Sequence, residues 1–343
     1  MRTFFVIISG ENFNLAKAEI DSLIELAGAD AKVTWLGPLA QIESTYDLTD
    51  FLLERAAMVK EAGAIIAQGQ LSDASLEWLS DDILVSCVKP TETFSIRTKS
   101  FVEERHVEHR NRLSESLGAR IGNLTDARVA LDNPDVRILV MIVPDRTLVC
   151  VSKESKLRQE LRLREPGKKP FFHPSMMNSQ LARVICNLAG VRPEVTVIDP
   201  FCGGGGILCE AAILGARVLG WDLNWRLIMG AMKNLADLMD EESSVIQADS
   251  RWPPLQVKKV DCIVTDPPYG RTSSTRGAKA RRLALTFLEQ VPEILKDGGR
   301  LCICGSQELE IKEMMQDLGF AVKYHVLVPV HSGLTREVTT AQF

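Results

Sequence analysis

Five short apolar runs, Val195–Asp199, Arg217–Asp222, Val245–Ala248, Asp261–Thr265 and Leu301–Gly305, are separated by segments with helical spacing. Runs this short and apolar suit strands buried on both faces. Strands that alternate with helices pair in parallel, because a crossover helix returns the chain to the same end of the sheet. A helix over Asn178–Ala189 opens the pattern, and an antiparallel hairpin over Phe320–Val330 and Leu334–Ala341 closes it. The second half of the chain is therefore expected to be a mostly parallel α/β sheet with helices on both faces. A chain of 343 residues, 45% hydrophobic and 25% charged, can bury such a core, which excludes wholesale disorder.

The first half reads differently. Thr3–Ser9 is a β-branched strand, Asn14–Ala27 an amphipathic helix, and Lys32–Trp35 and Leu39–Thr45 are strands around Gly37-Pro38. A helix over 47–59 and a strand over Ala64–Gln68 complete a β-α-β-β-α-β, ferredoxin-like order. A second α+β unit follows, with helices over Ser75–Val85 and Val102–Leu117 and strands over Thr93–Thr98, Ala127–Leu131, Val136–Val143 and Thr147–Val151. Ser152–Lys169 is rich in Lys and Arg and reads as a linker. The expected boundaries are 1–72, 73–152, a basic linker over 153–172, and 173–343.

Between the strand ending at Asp199 and the next helix lies Asp199-Pro200-Phe201-Cys202-Gly203-Gly204-Gly205-Gly206. Glycines at such a junction let a ligand approach the backbone beside a helix N-terminus. Only Gly203 and Gly205 match the dinucleotide fingerprint, because Leu208 holds the third position. The loop also opens with an acid, which repels a pyrophosphate and suits a cation such as S-adenosylmethionine, with its sulfonium and ammonium groups. A glycine-rich structural turn is the bland alternative. Two further strand ends carry acids: Asp222, placed to accept ribose hydroxyls, and Asp249, placed to accept an adenine amino group. One such acid is usually a cap, whereas three on successive strands form a constellation. Phe201, Cys202, Leu223 and Ser250 adjoin these positions and are candidate cofactor contacts with them.

The strand Cys262–Thr265 delivers Asp266-Pro267-Pro268-Tyr269-Gly270. Two prolines remove two N–H donors and fix the backbone, leaving an acceptor-rich edge of the Asp266 carboxylate and proline carbonyls. Such an edge suits an exocyclic amino group, which offers donors alone, and Tyr269 offers a face on which a flipped base stacks. Asp266, Pro267, Pro268 and Tyr269 are the candidate catalytic residues.

Asp199–Gly206 followed by Asp266–Tyr269 resembles the class I methyltransferases that methylate exocyclic amino groups of bases. Pro170–Pro174, Leu181-Ala182-Arg183, Gly220-Trp221-Asp222 and His331–Arg336 resemble the methyltransferase domain of archaeal tRNA (guanine-N2-)-methyltransferases. Phe94–Thr98 and Leu131–Val151 look like a THUMP domain, an RNA-binding module. A ferredoxin-like domain ahead of a THUMP domain is the arrangement of the enzymes that methylate guanosine 10 of tRNA. The resemblance implies a Rossmann-like methyltransferase domain, S-adenosyl-L-methionine as cofactor, and N2-methyl- or N2,N2-dimethylguanosine as product. It departs at Gly204, where relatives often have Thr, at Asn224, where many have a second acid, and over Met176–Gln180. The alternatives are a different tRNA or rRNA guanosine, a DNA amino-methyltransferase, and an RNA-binding protein with an inactive methyltransferase domain.

A net charge of −5 hides an uneven distribution. Residues 11–82 hold fourteen acids against four bases, so the remainder is basic. The candidate RNA contacts are Arg97 and Lys99 in the second unit, Lys168 and Lys169 in the linker, and Arg271, Arg276, Arg281 and Arg282. The last four lie in a stretch with no acid between 267 and 288, directly after the tetrapeptide, where phosphates flanking a flipped nucleotide would pass.

Eight cysteines without a CxxC pair, in a chain with only five histidines, point to buried reduced thiols and no metal site. The start, Met1–Gly10, lacks a small-residue cleavage site, and the longest aliphatic run, Ile138–Val143, is too short for a bilayer. The expectation is a cytoplasmic protein with no membrane partner and tRNA as its macromolecular partner. The family reading adds a monomeric state and room for a small activating protein subunit that the sequence does not specify.

Overall fold

The computed structural model describes residues 1–70, 76–102, 107–238, 244–255, 258–268, 274–331 and 333–343. In chain order the first elements are β1 (Arg2–Ile8), α1 (Phe13–Leu26), β2 (Ala31–Leu36), β3 (Leu39–Ser44), α2 (Thr49–Arg55) and β4 (Val59–Gln70), the ferredoxin-like order. Then come α3 (Asp81–Cys87), β5 (Thr93–Ser100), α4 (Val107–Thr125), β6 (Arg128–Val129), β7 (Val136–Ile142) and β8 (Arg146–Glu154). The eight strands make one sheet, ordered β2-β3-β1-β4-β8-β7-β5-β6. β4 pairs antiparallel with β8 from Glu61 opposite Glu154 to Gln70 opposite Arg146, so the sheet continues across position 72.

Two compact units divide the chain: 1–11, 28–54 and 59–156 in the first, and 12–27, 55–58 and 157–343 in the second. Helix α1 thus belongs with the second unit. Glu19 on its inner face is fully buried and accepts hydrogen bonds from the N–H groups of Ala57 and Met58, both at 2.9 Å, and from Asn187 Nδ2 at 2.7 Å. Burial raises the Glu19 pKa, and these three donors oppose the rise. The same bonds explain why α2 stops at Arg55 while the apolar pattern runs on to 59: the Ala57 and Met58 donors go to a carboxylate instead of a helix. Glu25, one turn further along α1, pairs with Arg300 at 3.1 Å and with Lys323.

Other boundaries also moved. Helix α4 extends to Thr125, beyond the expected end at 117, because Gly118 and Gly122 are tolerated within it; a Cβ on Gly118 would sit 3.7 Å from Ile96 Cδ1. The expected helix from Ser75 starts only at Asp81, and residues 71–75 lie outside the described residues. The basic stretch read as a linker completes β8 and then forms α5 (Leu157–Leu163), whose Leu157 and Leu161 are buried at i, i+4 spacing. Two apolar side chains in a charged context were too weak a signal for a helix.

The second unit continues with α6 (Ser179–Leu188), β9 (Thr196–Asp199), α7 (Gly206–Ile213), β10 (Arg217–Asp222), α8 (Trp225–Ala236), β11 (Ser244–Gln247) and β12 (Val260–Thr265). It ends with α9 (Ser274–Leu288), α10 (Val291–Ile294), β13 (Leu295–Ser306), α11 (Ile311–Asp317), β14 (Ala321–His331) and β15 (Leu334–Gln342). The sheet order is β11-β10-β9-β12-β13-β15-β14, parallel except for β15, which runs antiparallel to both β13 and β14. Strand order therefore reverses between β9 and β12, the point at which open α/β sheets part their loops and leave a crevice. Ile198, Trp221, Ile263, Phe287, Leu301 and Ile303 are central to the core below that crevice.

All eight cysteines are free thiols, seven of them buried. No described helix is long and apolar enough to cross a membrane.

Candidate active site

A cavity of about 620 Å³ opens at the carboxyl ends of β9, β10 and β12. It collects most of the cofactor and catalytic candidates: Asp199, Phe201, Cys202, Gly203, Asp222, Leu223, Asp249, Ser250, Asp266, Pro267 and Pro268. Tyr269 and Arg271 lie outside the described residues.

The glycine loop is shaped by its own backbone. Gly203 and Gly205 take φ of +50° and +78°, values that a side chain disfavours. Gly205 does not line the cavity. A Cβ there would meet Ala231 at 3.1 Å, so this glycine serves the close packing of α7 on α8. Gly204 faces the Met176 thioether, and a Cβ would sit 2.7 Å from its sulfur. Two departures from the family pattern thus meet in space: Met176 occupies the volume beside the bare glycine. Asn234, buried on α8, ties the surroundings together. It accepts from Phe171 N at 2.8 Å and donates to Phe171 O at 3.0 Å and Gly204 O at 2.8 Å. Behind the loop, Glu210 of α7 is fully buried and held by Arg164 and Arg183, each through Nε at 3.0 Å. A buried carboxylate with two guanidinium partners fixes the helix whose N-terminus borders the cavity.

The acids differ in what holds them. Asp222 accepts Gly203 N–H at 3.1 Å through Oδ2 and Asn224 N–H at 2.8 Å through Oδ1, leaving lone pairs for two hydroxyls. Asn224 caps α8 by accepting Arg226 N–H at 3.0 Å. Asp249 carries a forked pair with Arg251, at 2.6 Å from Nη2 to Oδ2, which holds its pKa below the usual carboxylate range. Ser250 is buried; its hydroxyl accepts from Trp221 Nε1 at 3.1 Å and donates to Pro200 O, so its bonds are structural.

Asp199 is fully buried and accepts from Thr265 Oγ1 at 2.7 Å and Phe201 N at 3.1 Å. Burial, reinforced by the charges of Asp266 and Asp222, pushes its pKa up to about 7 against those two hydrogen bonds. A cation bound beside it favours the anion. Binding of a cationic cofactor below pH 7 must therefore expel a proton, and affinity is expected to fall by up to about tenfold per pH unit from pH 7 to 5. Calorimetry in buffers of different ionisation enthalpy measures that proton release. Asp199→Asn should remove both the release and the slope, and a slope that persists in this variant would count against the assignment.

The lining fits S-adenosylmethionine. Four carboxylates suit its sulfonium and ammonium charges, and the free lone pairs of Asp222 suit ribose hydroxyls. No cluster of three or more His, Cys, Asp or Glu among the described residues is arranged to hold a metal ion.

Sequence reasoning missed several lining residues. His173–Met177 form one wall, with His173 Nδ1 2.6 Å from Ser175 Oγ. Leu334 and Arg336 reach the cavity from β15, and Arg336 Nη2 lies 3.5 Å from Asp266 Oδ2. Residues 170–174 and 331–336 carried a family resemblance but no assigned role, since strand pairing alone brings β15 to the site.

The RNA candidates are scattered. Arg97 pairs with Glu154 at 3.0 Å and Lys99 with Glu61, both in the first unit. Lys168 is exposed, whereas Lys169 is half-buried with its ammonium against the Cys209 thiol. Arg276 lies on α9, whose Arg282 is exposed and whose Arg281 pairs with Glu310 at 3.4 Å. Leu283 of the same helix lines the cavity.

Comparison with known proteins adds the following. A family model described as an RMKL-like methyltransferase domain matches residues 166–337, and a THUMP-domain model matches residues 81–152. The tRNA (guanine(10)-N2)-dimethyltransferase of Methanothermobacter thermautotrophicus is 31% identical over 339 residues, 97% of each chain. The protein of the same name from Methanocaldococcus jannaschii is 28% identical, again over 97% of each chain. The crystal structure of TrmN from Thermus thermophilus superposes with a TM-score of 0.60 at 20% identity over 99% of each chain, a likeness of fold.

Proposed function

The chain belongs to the THUMP-domain tRNA (guanine-N2-)-methyltransferase family, and on that footing we propose that it methylates N2 of guanosine 10 in tRNA, giving N2-methyl- and then N2,N2-dimethylguanosine. One observation carries the reading: Asp199, Asp222, Asp249 and the Asp266-Pro267-Pro268 turn face a single cavity at the switch point of the sheet.

S-adenosylmethionine supplies an electrophilic methyl group on a sulfonium. Asp222 takes the ribose hydroxyls, Asp249 the adenine amino group, and Asp199 the cationic end. Guanine N2 is a poor nucleophile because its lone pair is delocalised into the ring. Hydrogen bonds from its N–H groups to the Asp266 carboxylate and the Pro267 carbonyl turn that lone pair toward the methyl group. They also stabilise the positive charge that develops on nitrogen. Tyr269 stacks on the flipped base, and the basic face of α9 positions the flanking phosphates. The THUMP unit, with Arg97 and Lys99, binds the body of the tRNA. The working form is a cytoplasmic monomer.

The test is transfer of labelled methyl to unmodified tRNA by the full chain, mapped nucleotide by nucleotide by mass spectrometry. One and then two methyl groups on guanosine 10 are expected. Methyl groups on another guanosine would overturn the position, label in DNA the substrate class, and no transfer at all the enzymatic reading.

A further inference from the structure

The cavity is lined by four carboxylates, Asp199, Asp222, Asp249 and Asp266, and among its described lining residues Arg336 is the one Lys or Arg. Each of the four is held by named neighbours. Asp199 has Thr265 and the Phe201 amide, Asp222 has the Gly203 and Asn224 amides, and Asp249 has Arg251. Arg336 is directed to the fourth: its Nη2 lies 3.5 Å from Asp266 Oδ2, and only 14% and 13% of the two side chains are exposed. Its backbone is fixed on both sides, because β15 places Arg336 opposite Ser306 of β13 and opposite Val328 of β14. We propose that Arg336 is a positioning residue for methyl transfer, holding the Asp266 carboxylate ionised and aimed at the amino group of the base.

The inference rests on the methyltransferase reading and goes beyond it by assigning a role to Asp266's neighbour. Asp199 on β9, Cys304 on β13 and Arg336 on β15 lie within electrostatic reach of Asp266. The Cys304 thiol is pushed well above its ordinary range and stays neutral. Asp199 in its anionic form favours protonation of Asp266, and the Arg336 guanidinium beside it opposes that. A carboxylate paired with a guanidinium is a weak base but a strong acceptor. Asp266 then orients the N2 lone pair and stabilises the charge formed as the carbon–sulfur bond breaks and the carbon–nitrogen bond forms. The N2 proton leaves to water.

The test uses the full chain with tRNA and S-adenosylmethionine in single turnovers at saturating cofactor, where Asp199 is held as the anion in every variant. Arg336→Gln should slow methyl transfer by about 30-fold or more. It should also move the acid limb of the rate profile up by about one pH unit or more, the shift that loss of a neighbouring opposite charge produces. Arg336→Lys should restore part of both effects. Cofactor and tRNA affinities should stay within about threefold, well under the tenfold that 1.4 kcal/mol represents. In an Asp266→Asn background, Arg336→Gln should change the rate no further, because Arg336 acts through the carboxylate. An unmoved acid limb, an equal loss in both backgrounds, or a loss confined to tRNA affinity would overturn the proposal. A wild-type chain that transfers no methyl to guanosine N2 would instead overturn the function, and the same assay reports it.

Discussion

Asp266→Ala should lower the rate of methyl transfer by about 10³-fold, some 4 kcal/mol of transition-state stabilisation, with cofactor affinity kept within about tenfold. The size follows from the chemistry of the amine. Nothing else on the Asp266-Pro267-Pro268 turn can accept a hydrogen bond with a full negative charge, and the prolines have no N–H with which to compete for the carboxylate. The loss should fall in kcat, because the bonds strengthen as charge develops on N2. Asp266→Asn keeps one carbonyl oxygen in place and should retain more activity than Ala. Alanine also removes a buried counter-charge from Arg336, so thermal unfolding of the variant must accompany the kinetics. A variant that folds, binds cofactor and turns over at near the wild-type rate would remove Asp266 from the mechanism.

The parts of this site that are local in sequence were legible there. Asp199 and Asp222 end their strands, Asp249 and Asp266 follow theirs by two and one residues, and the glycine loop leads out of β9, so recognising the strand places the side chain. Sheet order did the rest, since parallel strands bring their carboxyl ends to one edge. What stayed hidden depends on pairings that no local pattern encodes. Arg336 reaches Asp266 only because β15 lies antiparallel on β13, next to β12. The acidic excess over residues 11–82 falls, in sequence, within the first two expected units. Part of it is Glu19 and Glu25 on α1, a helix that belongs to the second unit and is fastened there by Asn187, Arg300 and Lys323. The basic clusters show the opposite limit. A count of Lys and Arg cannot tell Arg282, which is exposed, from Lys169, which turns inward to a thiol.

Asp222→Ala should weaken cofactor binding by about 100-fold, near 3 kcal/mol, the loss of two hydrogen bonds from ribose hydroxyls to a charged acceptor. The contrast with Asp266 is diagnostic: here KM for S-adenosylmethionine should rise while the rate at saturation changes little, since ribose contacts are the same in ground and transition states. The carboxylate has a second task that sharpens the expectation. Its Oδ2 accepts the Gly203 amide, so alanine also releases the glycine loop from β10, and part of the lost affinity reflects that loosened loop. Asp222→Asn separates the two contributions. Its amide oxygen can still accept from Gly203 while its NH2 meets the Asn224 N–H as a second donor, so an intermediate loss is expected. Titration calorimetry with S-adenosylhomocysteine, which keeps the ribose and lacks the sulfonium charge, should show the same loss in Asp222→Ala. A loss seen with S-adenosylmethionine alone would mean that Asp222 senses the sulfonium, and the ribose assignment would pass to another residue.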